Sequence, residues 1–338
     1  MAAFESQKKS ARNLVLSPNM QAAYGETLAD ANLTRRQRFD GSAILELLST
    51  RRSDKEMSGK GTQFATDGQL TGWDTKFSFK TELDAWLAGW AFVFGMGADA
   101  ITNTGGAAPY THALSFDDTT TQAPATTLYL EDTSAVKYKV PDMAVSDLTL
   151  TIPERGACSL ETAFIGTGRW TAGAMAAALP ALAAYSYLLG SDCVFSIGPV
   201  GDSVAVTGRH LSTTLKISTG VVNHIAPGGG LFGVFPRRGL WKFSFQTTIA
   251  AMATDDIWTL LENDTASALG WSINSGASAQ LAISIPLCHM KATKLGVNGN
   301  MVIWSIEADE TTCFGVAGGA QPLGVSVVNA VPQYMVAV

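Results

Sequence analysis

The sequence predicts a mainly β protein made of two tandem modules, each a set of strands with one flanking α-helix. Three observations point there: a six-residue segment that occurs twice, period-two alternation of apolar and polar residues after each copy, and a composition poor in charge. Of 338 residues, 46% are hydrophobic and only 15% charged, against roughly 25% charged in ordinary soluble domains. A chain of this length buries a sizeable core in about two domains. Its sparse charge leaves much surface suited to facing other protein.

The repeated segment is Lys76-Phe77-Ser78-Phe79-Lys80-Thr81, which returns as Lys242-Phe243-Ser244-Phe245-Gln246-Thr247, with Trp73 and Trp241 just upstream. After the first copy, Thr81-Glu82-Leu83-Asp84 reads as a capping box, and Leu83, Trp86, Leu87, Trp90 and Phe94 follow at helical spacing. That pattern predicts an amphipathic helix. After the second copy, Thr254 and Asp255 open a shorter helix carrying Ile257, Leu260 and Leu261.

Each half then has an alternating strand running into a proline: Val136, Tyr138 and Val140 before Pro141, and Leu281, Ile283 and Ile285 before Pro286. Alternation with β-branched residues marks half-buried strands. The first half continues with Leu148, Leu150 and Ile152 between Asp147, Thr149 and Thr151, a turn at Glu154-Arg155-Gly156, and a strand from Cys158 to Ile165. The second answers with a turn over Gly296–Asn300 and a strand from Met301 to Ala308. The order predicts a duplicated β-β-α-β-β unit. Its parts are an N-terminal arm and loop region, 1–67, a first module, 68–169, an Ala/Gly-rich linker, 170–202, and a second module with a C-terminal tail, 203–338.

The run from Gly68 through DTKFSFKTELDAWLAGWAFVFG, then PYTHAL at 109–114 and VSDLTLTIPERGACSLETAFIGTGR at 145–169, resembles the tail tube proteins of long-tailed bacteriophages. The likeness covers residues 68–169. Residues 240–312 resemble the same module more loosely, without the Tyr-Thr-His strand signature or the glycine-rich end. The resemblance implies β-sandwich or barrel-like modules, six of which close a ring with a continuous inner β-cylinder, from six chains or from three if both modules join. Rings stack into a tube through which genomic DNA is ejected into the host. Implied partners are further copies of the chain, a tape-measure protein, and tail terminator and tip proteins, with genomic DNA passing the lumen without specific binding. The implied place is the tail of the virion, of the flexible siphovirus kind, after assembly in the host cytoplasm. The alternative is another virion structural role, as a capsid decoration or tail-tip component.

Charge is compatible with that reading. The net charge of -6 argues against electrostatic nucleic-acid binding, which needs a basic stripe. Residues 1–80 carry 12 Lys/Arg and 9 Asp/Glu, the remainder 11 and 20, so a basic front end sits on an acidic body. Half-buried strands leave unpaired edges, which closure into a cylinder removes. A wall past which DNA slides should be neutral or acidic, because phosphate contacts add drag. The candidates for that wall, or for plain solvent exposure, are Asp147, Thr149, Thr151, Ser159, Glu161, Ser305 and Glu307.

The stretch Thr34 to Asp67 is hydrophilic, with a short apolar run over Ile44–Leu48 and basic clusters at Arg35, Arg36, Arg38, Arg51 and Arg52. By the resemblance it is an arm or loop bridging one ring to the next, with these arginines as inter-ring contacts; otherwise it is a surface loop. The apolar tail, Val325–Val328 and Tyr334–Val338, is an aggregation hazard unless docked, as a strand of the fold or as an arm on a neighbour.

Catalytic constellations do not assemble. Gly228-Gly229-Gly230-Leu231-Phe232-Gly233 spells G-x-G-x-x-G, but Pro227 precedes it and Val234-Phe235-Pro236 follows, leaving no helix N-terminus for a phosphate. His112, His210, His224 and His289 have no metal-ligand spacing, and His112 reads as a structural hydrogen-bonder. Cys288 and His289 are adjacent and point to opposite faces of a strand. Asp255-Asp256 sit in a first helical turn, where acids complement the dipole. No G-x-S-x-G elbow or Walker lysine occurs, so no enzyme, cofactor or metal is predicted. Cys158, Cys193, Cys288 and Cys313 lack C-x-x-C spacing and read as buried free thiols, with disulfides left open. Met1–Arg12 has no apolar signal region, which predicts assembly in the cytoplasm. Ala172–Gly190 approaches bilayer length, but it is mostly alanine and Pro180 interrupts it, so it reads as linker or apolar interface.

Overall fold

The computed structural model describes residues 13–40, 44–53, 68–102, 106–131, 137–176, 178–182, 184–226, 230–255, 257–315 and 321–338. Met1–Arg12, Val136, Gly228, Gly229 and Asp256, and the last part of the hydrophilic stretch (54–67), lie outside them.

In chain order the elements are β1 (Asn13–Leu16), β2 (Arg35–Gln37), β3 (Ile44–Ser53), β4 (Gly68–Glu82), α1 (Ala85–Met96), β5 (Gly97–Thr102), β6 (Tyr110–Phe116), β7 (Thr126–Glu131), β8 (Lys137–Pro153), β9 (Ser159–Gly166) and β10 (Thr171–Ala172). There follow β11 (Cys193–Pro199), β12 (Val204–Val206), β13 (His210–Ser218), β14 (Val222–His224), β15 (Phe235–Arg237), β16 (Lys242–Ala250), α2 (Ile257–Glu262), β17 (Ser267–Asn274), β18 (Gln280–Cys288), β19 (Ala292–Asn298), β20 (Met301–Asp309) and β21 (Gly324–Asn329).

Eight strands form one array in the order β3-β4-β9-β8-β13-β16-β20-β19, with every neighbouring pair antiparallel. The first half of β8 leaves this array and pairs with β7 and β10, and β7 continues through β1 to β2. A second sheet runs β12-β11-β17-β18-β21-β6-β5. Among the described residues neither sheet closes on itself. Both draw strands from the two halves of the sequence, since β8 pairs with β13 and β6 with β21. The stretch read as a linker ends in β11, a strand of the second sheet.

The predicted alternation is the burial pattern of the array. Leu148, Leu150, Ile152, Leu160, Phe77, Phe79, Phe243, Phe245 and Ile306 are buried in one core cluster with Trp271, Ile273, Leu281 and Ile283 from the second sheet. Two sheets with their apolar faces together are the simplest way to bury period-two strands.

Four expectations need correction. Thr81 and Glu82 belong to β4, and the N-cap of α1 is Asp84, whose carboxylate accepts the Leu87 N–H at 2.8 Å. The helix is not amphipathic: it wedges between β8 and the β5, β6 and β21 edge of the second sheet, and of its residues only Trp86 is not fully buried. A helix apolar all round is a core helix. The strands do not stop at the prolines, since β8 runs through Pro141 and β18 through Pro286. At the first of these Asp142 takes φ 60° and turns β8 from one set of partners to the other. The turn read over Gly296–Asn300 is shorter, as β19 runs on to Asn298.

Candidate assembly surface

The two copies of the Lys-Phe-Ser-Phe segment lie in β4 and β16, the second and sixth strands of the array. The strands β3, β4, β9 and β8 occupy the same successive places as β13, β16, β20 and β19. In register, Phe77 pairs with Phe164 and Thr81 with Leu160, while Phe245 pairs with Ala308 and Thr247 with Ile306. Aligning the two copies of the Lys-Phe-Ser-Phe segment therefore sets Ser159-Leu160-Glu161-Thr162 on Ser305-Ile306-Glu307-Ala308. The recurrence of Ser-x-Glu was the signal in the sequence that identifies β9 and β20 as counterparts.

Opposite the core lies a polar face, and the structure brings all seven predicted wall residues onto it. Thr149 pairs with Glu161 and Thr151 with Ser159. Asp147, Thr149 and Thr151 pair with Ser218, Lys216 and Thr214, and the ladder continues through Gln246 to Glu307 and through Thr248 to Ser305. Cross-strand partners project to the same side, so this is one continuous surface. Its charges balance: Lys76, Lys80, Lys216, Lys242, Lys291 and Lys294 stand with Glu46, Glu82, Asp147, Glu161, Glu307 and Asp309. Lys294 binds Glu307 at 2.9 Å, Lys291 binds Asp309, and Lys80 lies directly across from Glu161. Lys291 is raised above its ordinary pKa by the hydrogen bond and charge of Asp309.

The array ends in two strands that, among the described residues, have one partner each: β3 against β4 and β19 against β20. Leu47 on β3, and Leu295 and Val297 on β19, are exposed, the last at 71%. Beyond Thr75, where the pairing of β4 with β9 ends, β3 and β4 continue as a two-stranded ribbon carrying Arg51 and Arg52, both exposed.

The other three arginines are placed differently. Arg35 binds Asp84 and lies over Trp86 and Tyr185; burial pushes the Asp84 carboxyl up, against the opposing pull of Arg35. Arg36 bonds the Asn13 side chain at 2.5 Å, and Arg38 lies over Tyr185. The C-terminal tail docks on its own chain. β21 fills the second sheet, and residues 335–338 exchange backbone bonds with 18–22.

Polar hubs that the sequence reading missed hold this frame. The buried Asp142 carboxylate accepts from Gly25 N at 2.8 Å, Gln21 Nε2 at 3.1 Å and the Thr167 hydroxyl, with Arg169 at 3.4 Å. His112 does prove a structural hydrogen-bonder, and Asp99 is the partner that was not foreseen. Its Nδ1 meets the Asp99 carboxylate at 2.9 Å and its Nε2 the Val331 carbonyl at 2.9 Å. Burial works against its charged form, but the Asp99 hydrogen bond and charge outweigh it and raise the pKa. His210 is hydrogen-bonded to Thr213, and burial lowers it to about 4. His289 contacts Asp264, and Asp255 receives Arg209 through both oxygens at 2.8 and 2.9 Å. Among the described residues no group of three His, Cys, Asp or Glu is placed to hold a metal, and no helix is long and apolar enough to cross a membrane.

A family model described as phage tail tube protein matches residues 17–319. No curated protein matches the chain.

Proposed function

The chain belongs to the phage tail tube protein family, a structural component of the virion tail, and on that premise we propose that three copies close a ring by pairing β19 of one copy with β3 of the next. The observation that carries the reading is the alternating eight-strand array. Its terminal strands run in opposite directions, so a second array continues the antiparallel order without a break. The junction between β8 and β13 inside the chain is the counterpart of the junction between chains. Lys216 faces Thr149 there, and the equivalent positions set Ile44 of one copy against Ala292 of the next.

In this reading residues 68–169, completed by β3 from the N-terminal region, and 203–338 are two copies of one module, with 170–202 between them. The N-terminal region, 1–67, supplies the closing strand and the inter-ring ribbon. The polar face lines the lumen, and its balanced charge suits passive passage of DNA. Size favours three copies. Strands about 4.8 Å apart give a cylinder of about 24 strands a diameter on the order of 48 Å at ordinary tilt. Inward side chains of about 5 Å then leave a bore of about 38 Å. Two copies would leave roughly 22 Å, barely the width of the double helix.

Stacked rings would make the conduit for genome ejection, in a siphovirus-type tail assembled in the host cytoplasm around a tape-measure protein and ended by terminator and tip proteins. Arg51 and Arg52, on the projecting ribbon, are the arginines best placed for inter-ring contact; Arg35, Arg36 and Arg38 also make contacts within the chain.

The test combines negative-stain microscopy of the purified chain with cysteine cross-linking of an Ile44→Cys, Ala292→Cys variant. Hollow tubes and a cross-linked ladder that stops at three support the proposal. A ladder reaching six, or rings without cross-links, overturns the closure. Small uniform particles with no tube under any condition favour the decoration or tail-tip reading.

A further inference from the structure

Cys288 closes β18, and Cys313 lies on the chain returning from β20. The two are opposite each other in an antiparallel bridge. His289 N donates to Thr312 O at 2.8 Å and Phe314 N donates to Leu287 O at 2.9 Å. These bonds flank the cysteines rather than joining them, so Cys288 and Cys313 form a non-hydrogen-bonded pair. Such pairs hold their Cα atoms about 4.5 Å apart, with the side chains on one side. That separation falls within the roughly 4.4–6.8 Å that a disulfide spans. Both thiols are buried in the main core, at 0% and 4% exposure. Cys158 and Cys193 influence each other electrostatically but are not cross-strand partners, since Cys193 pairs with Ile273.

We propose that Cys288 and Cys313 are a redox modification site, kept as thiols in a reducing compartment and joined as a cross-strand disulfide by a small-molecule disulfide oxidant. One thiolate attacks the oxidant, forming a mixed disulfide and releasing one thiol of the oxidant. The second cysteine displaces the other. Two protein thiols are oxidised, one external disulfide is reduced to two thiols, and the two protons end on those leaving thiols.

The new bond would tie the base of the β19–β20 hairpin, residues 289–312, and so restrain the strand with the free edge. This holds whether or not β19 closes a ring. Oxidising surroundings preserve such bonds and reducing ones remove them. The hydrogen bond to Cys313 and burial raise Cys288 well above its ordinary pKa. Thiolate is therefore scarce in the folded chain, and exchange proceeds through local opening.

The full chain, purified with reductant, is equilibrated in glutathione buffers from fully reduced to fully oxidised. Each is run with and without urea below the unfolding midpoint. Free thiols are then capped with N-ethylmaleimide and the digest is mapped without reduction. The expected product under oxidising conditions is a single peptide pair joined through Cys288 and Cys313, two hydrogens lighter, with Cys158 and Cys193 capped. Its urea midpoint should rise and return on reduction. Four capped thiols under every condition, glutathione adducts alone, or a bond to Cys158 or Cys193 would overturn the assignment.

Discussion

Replacing Asp142 separates the two tasks this residue performs. It sits at φ 60° in the middle of β8, fully buried, where the strand changes partners. Its carboxylate takes the Gly25 N–H, the Gln21 amide and the Thr167 hydroxyl. In Asp142→Ala, Gln21 keeps its bond to Glu26 O and the 31% exposed Arg169 side chain rehydrates. The loss concentrates on Gly25 and Thr167, at about 1–3 kcal/mol for each buried group left unsatisfied. The left-handed backbone adds about 1–2 kcal/mol for a side chain that cannot bond locally. The total is about 3–8 kcal/mol. Asp142→Asn tolerates the same backbone and keeps one acceptor, so about 1–3 kcal/mol is expected. Urea unfolding of the unassembled subunit followed by tryptophan fluorescence, with m held equal, measures both. Equal losses for the two variants, or less than about 1 kcal/mol for alanine, would refute the account of Asp142 as the anchor of the strand's change of direction.

Two further predictions concern other joints. Both ring nitrogens of His112 face acceptors, so the bonded form is the cation. Its folded pKa is raised above the unfolded value of about 6.5, so the stabilisation is complete below that value and is lost as pH rises through the folded pKa. The native chain should weaken as pH rises above about 6.5, while His112→Gln should show a flatter urea midpoint over the same rise. At Gly190, an added Cβ would lie 1.9 Å from the Pro153 carbonyl oxygen. Gly190→Ala should therefore cost about 1–3 kcal/mol by overpacking, read as a lower melting temperature, and an unchanged one would mean that the backbone yields freely there.

What was legible in the sequence follows the physics of each signal. Period two reports one-sided burial directly, so the strands around Leu150, Phe77, Phe245 and Ile306 were readable, as was the common face of Thr149, Glu161 and Glu307. The surroundings of α1 were not, because Trp86, Leu87, Trp90 and Phe94 match helical spacing whether the remaining face meets solvent or protein. Only the apolar Ala88, Ala91, Phe92 and Val93 between them hint at full burial. The change of partners at Asp142 depends on bonds to Gly25 and Thr167, distant in sequence. A Pro-Asp step inside a β run is its only local trace. Arg35 read as a surface charge because no local pattern announces Asp84 and Tyr185 beside it.

The two junctions of the array differ in a way that bears on assembly. Inside the chain, β8 meets β13 through Leu150 opposite Leu215 and Leu148 opposite Ile217, all buried. At the outer edge the positions equivalent to Leu148, Leu150 and Thr151 are Lys291, Thr293 and Lys294, while Ile152 is matched by the exposed Leu295. The internal junction forms with folding and stays formed, because breaking it would expose the core. The outer one is guarded by two lysines, a recognised means of discouraging an edge strand from pairing at random. Both lysines are already engaged by Asp309 and Glu307, which would limit the desolvation cost of the proposed pairing. If three copies close a ring as proposed, half of its junctions form with folding, and the lysine-guarded outer edges are the ones left to form between chains.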